Sequence, residues 1–264
     1  MQKLLPIIIG LFAVQTALAQ TELYEKRIYT HGKDTLRYRV LFPEGYDASQ
    51  KYPLVLFLHG AGERGNNNED QLKHGSKLFT NAEVRKKYPA IVLFPQCGRD
   101  DFWARVARNP EKDSLGGIEF PTTEPMGKAL NLVSLLLDSL VTTQKVDLRK
   151  VYIGGLSMGG MGTFEMLWRK PGFFAAAFPI CGGGNPETAK LYGRKFPIWI
   201  FHGGSDPVVR VSNSRIMVKA LEAARAKVKY TEYPGVGHNS WDNAFAEPDL
   251  IPWLFKQQAK RKKL

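Results

Sequence analysis

A doubly wound, mostly parallel α/β sheet in one domain is the architecture predicted for this chain of 264 residues, and three patterns point to it. Short runs of four to eight residues are apolar throughout. Longer stretches with apolar residues at helical spacing separate many of them. The least regular segments begin directly after such runs. Strands apolar on both faces belong to a parallel sheet covered by helices, and alternating β and α units build that sheet. A hydrophobic content of 44% supports a large core, and 23% charged residues argue against global disorder.

Residues 1–19 read as a signal peptide. Lys3 gives a short positive region, Leu4 to Val14 an apolar one, and Ala17-Leu18-Ala19 a small-residue cleavage motif that leaves Gln20 as the new N-terminus. The apolar run is shorter than the ~20 residues of a membrane span and contains Pro6. Export to the periplasm or the medium is therefore expected, with no membrane span in the mature protein and one domain over residues 20–264.

Leu23 to Thr30 and Thr35 to Phe42, separated by His31-Gly32-Lys33-Asp34, predict an N-terminal antiparallel hairpin. Parallel strands are expected at Pro53–Leu58, Ala90–Phe94, Val151–Gly154, Ala175–Ile180, Pro197–Phe201 and Val228–Tyr233. Helices are expected at Met126–Gln144, Gly160–Trp168, Ser212–Lys227 and Pro248–Lys260. Gly60–Lys73 and Cys97–Pro125 are irregular and follow strands, which puts them at the carboxyl edge of the sheet, where ligands bind. The second is long enough to form a substrate wall or lid. The two cysteines, Cys97 and Cys181, fall after strands three ladder spacings apart, roughly 14 Å, which favours free thiols.

Gly155-Leu156-Ser157-Met158-Gly159 fits G-x-S-x-G between a strand and a helix. In that setting the serine occupies a sharp, strained turn that lifts its hydroxyl clear of the sheet. A nucleophilic serine needs a base, and the base needs a group to orient it. Asp206 follows the strand ending at Phe201, and His238 follows the last strand, so all three fall in loops at one sheet edge. His202 is a rival base, better suited to bracing the Asp206 loop. Asp242 is a rival acid, four residues past His238. Backbone N–H groups of Met158 and Ala61, or Gly62 in place of Ala61, are expected to face a developing oxyanion. No Gly-Lys-Ser/Thr follows the glycines of 60–65, which argues against a phosphate loop. No His-x-His or His-Glu-x-x-His spacing suggests a metal, and no cofactor is expected.

Leu58-His59-Gly60-Ala61-Gly62-Glu63-Arg64-Gly65, Pro95-Gln96-Cys97, Gly155-Leu156-Ser157-Met158-Gly159-Gly160 and Pro179-Ile180-Cys181-Gly182-Gly183 together resemble the exported esterases of the α/β-hydrolase superfamily. The nearest branches are the phospholipase/carboxylesterase-like and feruloyl-esterase-like (polyhydroxybutyrate-depolymerase-like) enzymes. The resemblance covers nearly the whole chain after the signal peptide. It implies a serine carboxylesterase with Ser157, Asp206 and His238 as its triad, and it places Gln96 and Trp103 beside the acyl or alcohol pocket. The expected substrate is a small ester, or a polysaccharide carrying acetyl or hydroxycinnamoyl groups. A prolyl-oligopeptidase-type serine peptidase and a non-catalytic binding protein on the same scaffold are the alternatives. The first usually carries a large gating domain, and the second should have a broken triad. The net charge of +12 is partly a basic tail, Lys256 to Lys263, read as a solvated helix end rather than a nucleic-acid patch. No motif addresses oligomeric state.

Overall fold

The computed structural model describes residues 21–111, 116–142 and 146–259. Residues 1–19, read above as a signal peptide, and the lysines beyond residue 259 lie outside the described residues. Eight strands form one sheet: β1 (Glu25–His31), β2 (Asp34–Leu41), β3 (Tyr52–Leu58), β4 (Ile91–Pro95), β7 (Val146–Leu156), β8 (Ala176–Ile180), β9 (Pro197–Gly203) and β10 (Lys227–Tyr233). Their spatial order is β1-β2-β4-β3-β7-β8-β9-β10. β1 and β2 pair antiparallel, β2 runs antiparallel to β4, and the six strands from β4 to β10 are mutually parallel. The expected hairpin, strands and doubly wound sheet are all present.

Eight α-helices are described: α1 (Ser76–Thr80), α2 (Ala82–Lys87), α3 (Lys128–Thr142), α4 (Met158–Arg169), α5 (Ala189–Tyr192), α6 (Ser212–Ala223), α7 (Trp241–Ala246) and α8 (Leu250–Lys256). The helix after Ser157 begins at Met158 rather than Gly160, and the last helix is shorter than Pro248–Lys260 at both ends. The short helices α1, α2 and α7 carry no periodic signal long enough to read. β5 (Ala107–Arg108) and β6 (Ile118–Glu119) form a two-residue antiparallel ribbon inside the segment expected to be irregular.

Alternation along the strands divides the core in two. Leu54, Leu56 and Leu58 of β3, with Ile153 of β7 and Ile198 and Ile200 of β9, face a cluster completed by Leu130, Val133 and Leu137 of α3, Phe164 of α4 and Met217 of α6. Val55 and Phe57 of β3, with Tyr152 of β7 and Phe201 of β9, face a second cluster with Phe79 of α1 and Leu250, Ile251 and Leu254 of α8. Successive side chains of a strand point to opposite faces, so a strand covered on both sides must be apolar throughout. Each fully buried Leu or Phe contributes about 1.5–3 kcal/mol relative to exposure. The sheet is thus rigid across its middle, and its strands deliver their following loops to one rim.

Among the described residues, no helix is long and apolar enough to cross a membrane. Cys97 and Cys181 are buried, unbridged thiols. They follow β4 and β8, which are separated in the sheet by β3 and β7, in agreement with the expected spacing.

Candidate active site

Ser157 sits between β7 and α4 at φ 53° and ψ −117°, a region that L-residues rarely adopt. The strain persists because the surroundings leave no alternative. Ser157 N–H donates to Ile180 O at 2.9 Å, tying the turn to the end of β8. A Cβ on Gly159 would lie 1.9 Å from Leu58 O, so only glycine lets α4 start this close to the end of β3. The serine is left half-buried at the first turn of α4, where unpaired N–H groups point outward.

The other two groups arrive from β9 and β10. Asp206 follows β9, and its side chain is completely buried. Its Oδ1 accepts from the N–H groups of Val208 and Val209, at 2.8 and 2.9 Å. Its Oδ2 lies 2.7 Å from His238 Nδ1 and 3.2 Å from His202 Nε2. Burial alone would raise the carboxyl pKa, but hydrogen bonds from both imidazoles and both N–H groups outweigh it and hold it well below the ordinary carboxylate range. His238 Nε2 lies 2.9 Å from Ser157 Oγ. The three side chains that spacing singled out therefore form one continuous hydrogen-bonded line. Gly203 makes the convergence possible, because a Cβ there would fall 2.1 Å from Gly237 O.

His202 braces the acid loop, as its position suggested. Buried at the end of β9, it contacts Ser214 Oγ at 2.7 Å and Val209 O at 2.8 Å. Asp242 instead accepts from the Asn239 side chain at 3.3 Å.

The loop after β3 runs beside the elbow. Leu58 pairs with Gly155, and Gly60 lies against Leu156. Ala61 opens a short 3-10 turn, Ala61–Glu63, and Met158 opens α4. The first N–H groups of a helix lack an intrahelical acceptor, so Ala61 and Met158 each open a helix with a backbone donor that the helix itself leaves unpaired.

Gln96 and Trp103 are placed differently from the expectation. Trp103 is wholly buried, and Gln96 is 3% exposed. The Gln96 amide donates to Glu63 O at 3.2 Å and Asn67 Oδ1 at 2.8 Å, and its carbonyl accepts from Asn68 N–H at 2.7 Å. Trp103 donates its indole N–H to His59 O at 3.1 Å. Side chains so enclosed offer no surface to a ligand; they prop the loop that carries Ala61 from below. The reason is the path of residues 97–111 and 116–125, which turns Trp103 and Phe120 inward. Phe120 and Ala104 join Met161 of α4 and Val209 of the acid loop in a separate apolar cluster. That cluster packs Ala104 and Phe120 against the helix that follows Ser157 and against the acid loop.

Two contributors carry no sequence motif of their own. His59 accepts from Cys97 N–H at Nε2, at 3.0 Å, which leaves Nδ1 protonated to donate to Gly60 O at 2.6 Å. Burial pushes its pKa down to about 4, so it stays neutral. Trp241 sets its ring edge-to-face with that of His238, centroids 5.4 Å apart. The signal for His59 is its place before the glycine-rich turn; Trp241 had none beyond proximity in sequence to His238.

Among the described residues, one trio of metal-ligating side chains gathers: Cys181, Asp206 and His238, with ligand atoms within 4.8 Å of one another. Both imidazole nitrogens are already engaged by Asp206 and Ser157, and burial raises the Cys181 thiol pKa well above its ordinary value. The donor set fits a hydrogen-bonded relay better than a metal.

An eight-stranded, mostly parallel sheet with a Ser–His–Asp line at its carboxyl edge defines the α/β-hydrolase class. Within that class, residues 46–247 match the phospholipase/carboxylesterase family, and the chain belongs to it. It is 34% identical over 158 residues to a bifunctional acetylxylan esterase/xylanase of Neocallimastix patriciarum, covering 60% of this chain and 20% of that one. It is 25% identical over 202 residues to acyl-protein thioesterase 1 of Neurospora crassa, covering 70% of this chain and 80% of that one. Among solved structures, a thermostable esterase superposes with a TM-score of 0.80 at 33% identity, over 91% of this chain and 64% of the other. The chain thus spans a fifth of the bifunctional relative and under two thirds of the esterase.

Proposed function

We propose that this protein hydrolyses carboxylic esters through an acyl-enzyme on Ser157, and that its natural substrates are acetyl or hydroxycinnamoyl esters of a polysaccharide. The observation that carries the reading is the line Asp206–His238–Ser157, with contacts of 2.7 and 2.9 Å. Asp206 fixes the imidazole with its proton on Nδ1, which leaves Nε2 free to accept the serine proton. Ser157 Oγ attacks the ester carbonyl. The oxyanion is met by the N–H groups of Met158 and Ala61, each worth about 3 kcal/mol in the transition state. His238 passes the proton to the departing alcohol oxygen, and the acyl group remains on Ser157. Water, deprotonated by the same imidazole, then releases the acid.

The acetylxylan esterase named in the relative from Neocallimastix patriciarum supports an acylated polysaccharide, and such a substrate suits the export expected from residues 1–19. The test is turnover of p-nitrophenyl acetate and acetylated xylan by the wild type and by Ser157→Ala. Hydrolysis of both by the wild type is expected, with a loss of at least roughly 10⁴-fold in the variant. Equal rates would remove Ser157 from the mechanism. Turnover of peptide anilides without ester turnover would assign the site to peptide bonds.

A further inference from the structure

We infer that the hollow beyond Trp241 binds the alcohol half of the substrate, and that this half is a saccharide. The inference rests on the ester-hydrolase reading and extends it to the leaving group.

Direction comes first. His238 Nε2, 2.9 Å from Ser157 Oγ, is the atom that protonates the departing oxygen, so the alcohol must leave past the imidazole. Trp241 stands edge-to-face with that imidazole at 5.4 Å, and the His74 ring lies 5.3 Å further on. Glu63, from the 3-10 turn that Ala61 opens, reaches back to His74 with its carboxylate 3.8 Å from Nε2. His74 and Trp241 therefore join the turn after β3 to the His238 loop, and a group leaving past His238 travels along them.

Beyond them is a hollow of about 490 Å³, with Lys73, His74, Lys77, Asn81, Asp242 and Phe245 in its lining. Its volume is that of a small-molecule site. Its chemistry is mixed: two ammonium groups, an amide, a carboxylate and an imidazole share the lining with the apolar side chains of Leu78, Val84 and Phe245. Each hydroxyl of a sugar both donates and accepts, so one ring can satisfy groups of both kinds. A fatty chain would strip water from Lys77 and Asp242 and return no hydrogen bond. A simple anion would be opposed by Asp242. Lys73 is already paired with Asp70 at 3.0 Å, whereas among the described residues Lys77 has no ion-pair partner and stands exposed on the rim.

The experiment compares acetylated xylotriose with p-nitrophenyl acetate, which has the same acyl group and no sugar. Lys77 and Asp242 are exposed, so Lys77→Met combined with Asp242→Asn is a surface change, and thermal unfolding checks that it folds. We expect kcat/KM for the saccharide ester, relative to the aryl ester, to fall about tenfold, the change residing in KM. An unchanged ratio overturns the inference. So does a wild type that hydrolyses p-nitrophenyl acetate but no acetylated saccharide, or one that prefers a lysophospholipid; in either case ester hydrolysis at Ser157 still stands. A wild type inactive on every ester and unlabelled by a fluorophosphonate overturns the triad reading itself, and the inference with it.

Discussion

The turn that presents Ser157 and the loop that presents His238 meet at one rim, but they are held there by opposite means. The serine turn is fixed through its main chain, by the Ser157 N–H bond to Ile180 O and by glycine at 159 against Leu58 O, which together hold its strained dihedrals. The imidazole loop is fixed from outside, by the Asp206 carboxylate, the Trp241 ring edge and backbone contacts to the chain after β9. One element is locked by its backbone against the sheet, and the other leans on the side chains of its neighbours. Perturbing a neighbour should therefore misplace the imidazole while leaving the serine where it is.

The sharpest break in that comparison is Asp206→Asn. The amide would turn donors towards His238 and His202 in place of the acceptor Oδ2. We expect kcat for p-nitrophenyl acetate to fall about 10⁴-fold, as when a triad imidazole loses its correct tautomer. A loss below about tenfold would mean that the imidazole is oriented without the carboxylate.

A smaller effect sharpens the comparison at the loop that carries Ala61, which is also held from outside. His59 is neutral when folded, its pKa lowered by burial from its ordinary value of 6.5 to about 4. The unfolded chain therefore binds the extra proton first. The stability it contributes is full above pH 6.5, is lost as pH falls towards 4, and amounts to at most about 3 kcal/mol. His59→Gln lacks this titration, so urea unfolding should show the gap between wild type and variant narrowing as the pH falls through that window. A constant gap would mean that His59 is not held neutral.

The smallest effect concerns the serine turn alone. Ser157→Gly should raise stability by about 1 kcal/mol, as relieved strain exceeds the entropy that glycine adds to the unfolded chain. A less stable variant would show that the turn is not strained.

What could be read from the sequence follows the same division. β3, β9 and the Val151–Ile153 part of β7 are apolar runs a few residues long, and the serine turn is a five-residue pattern between a strand and a helix. Both are local, so both were legible. Asp206 and His238 could be named because each follows a strand, and the topology sends those strand ends to one rim. Gln96 and Trp103 were misread because their surroundings depend on how the 97–125 segment folds back, which no local pattern records. His59 acts through Cys97, 38 residues away, and Trp241 through a ring contact with His74 that no spacing encodes.

The unbridged state of Cys97 and Cys181 bears on where such a molecule can mature. No covalent staple has to be closed before the sheet is complete, and therefore no oxidant takes part in its folding. The same native state is within reach of a reducing cell interior and of the oxidising space outside it.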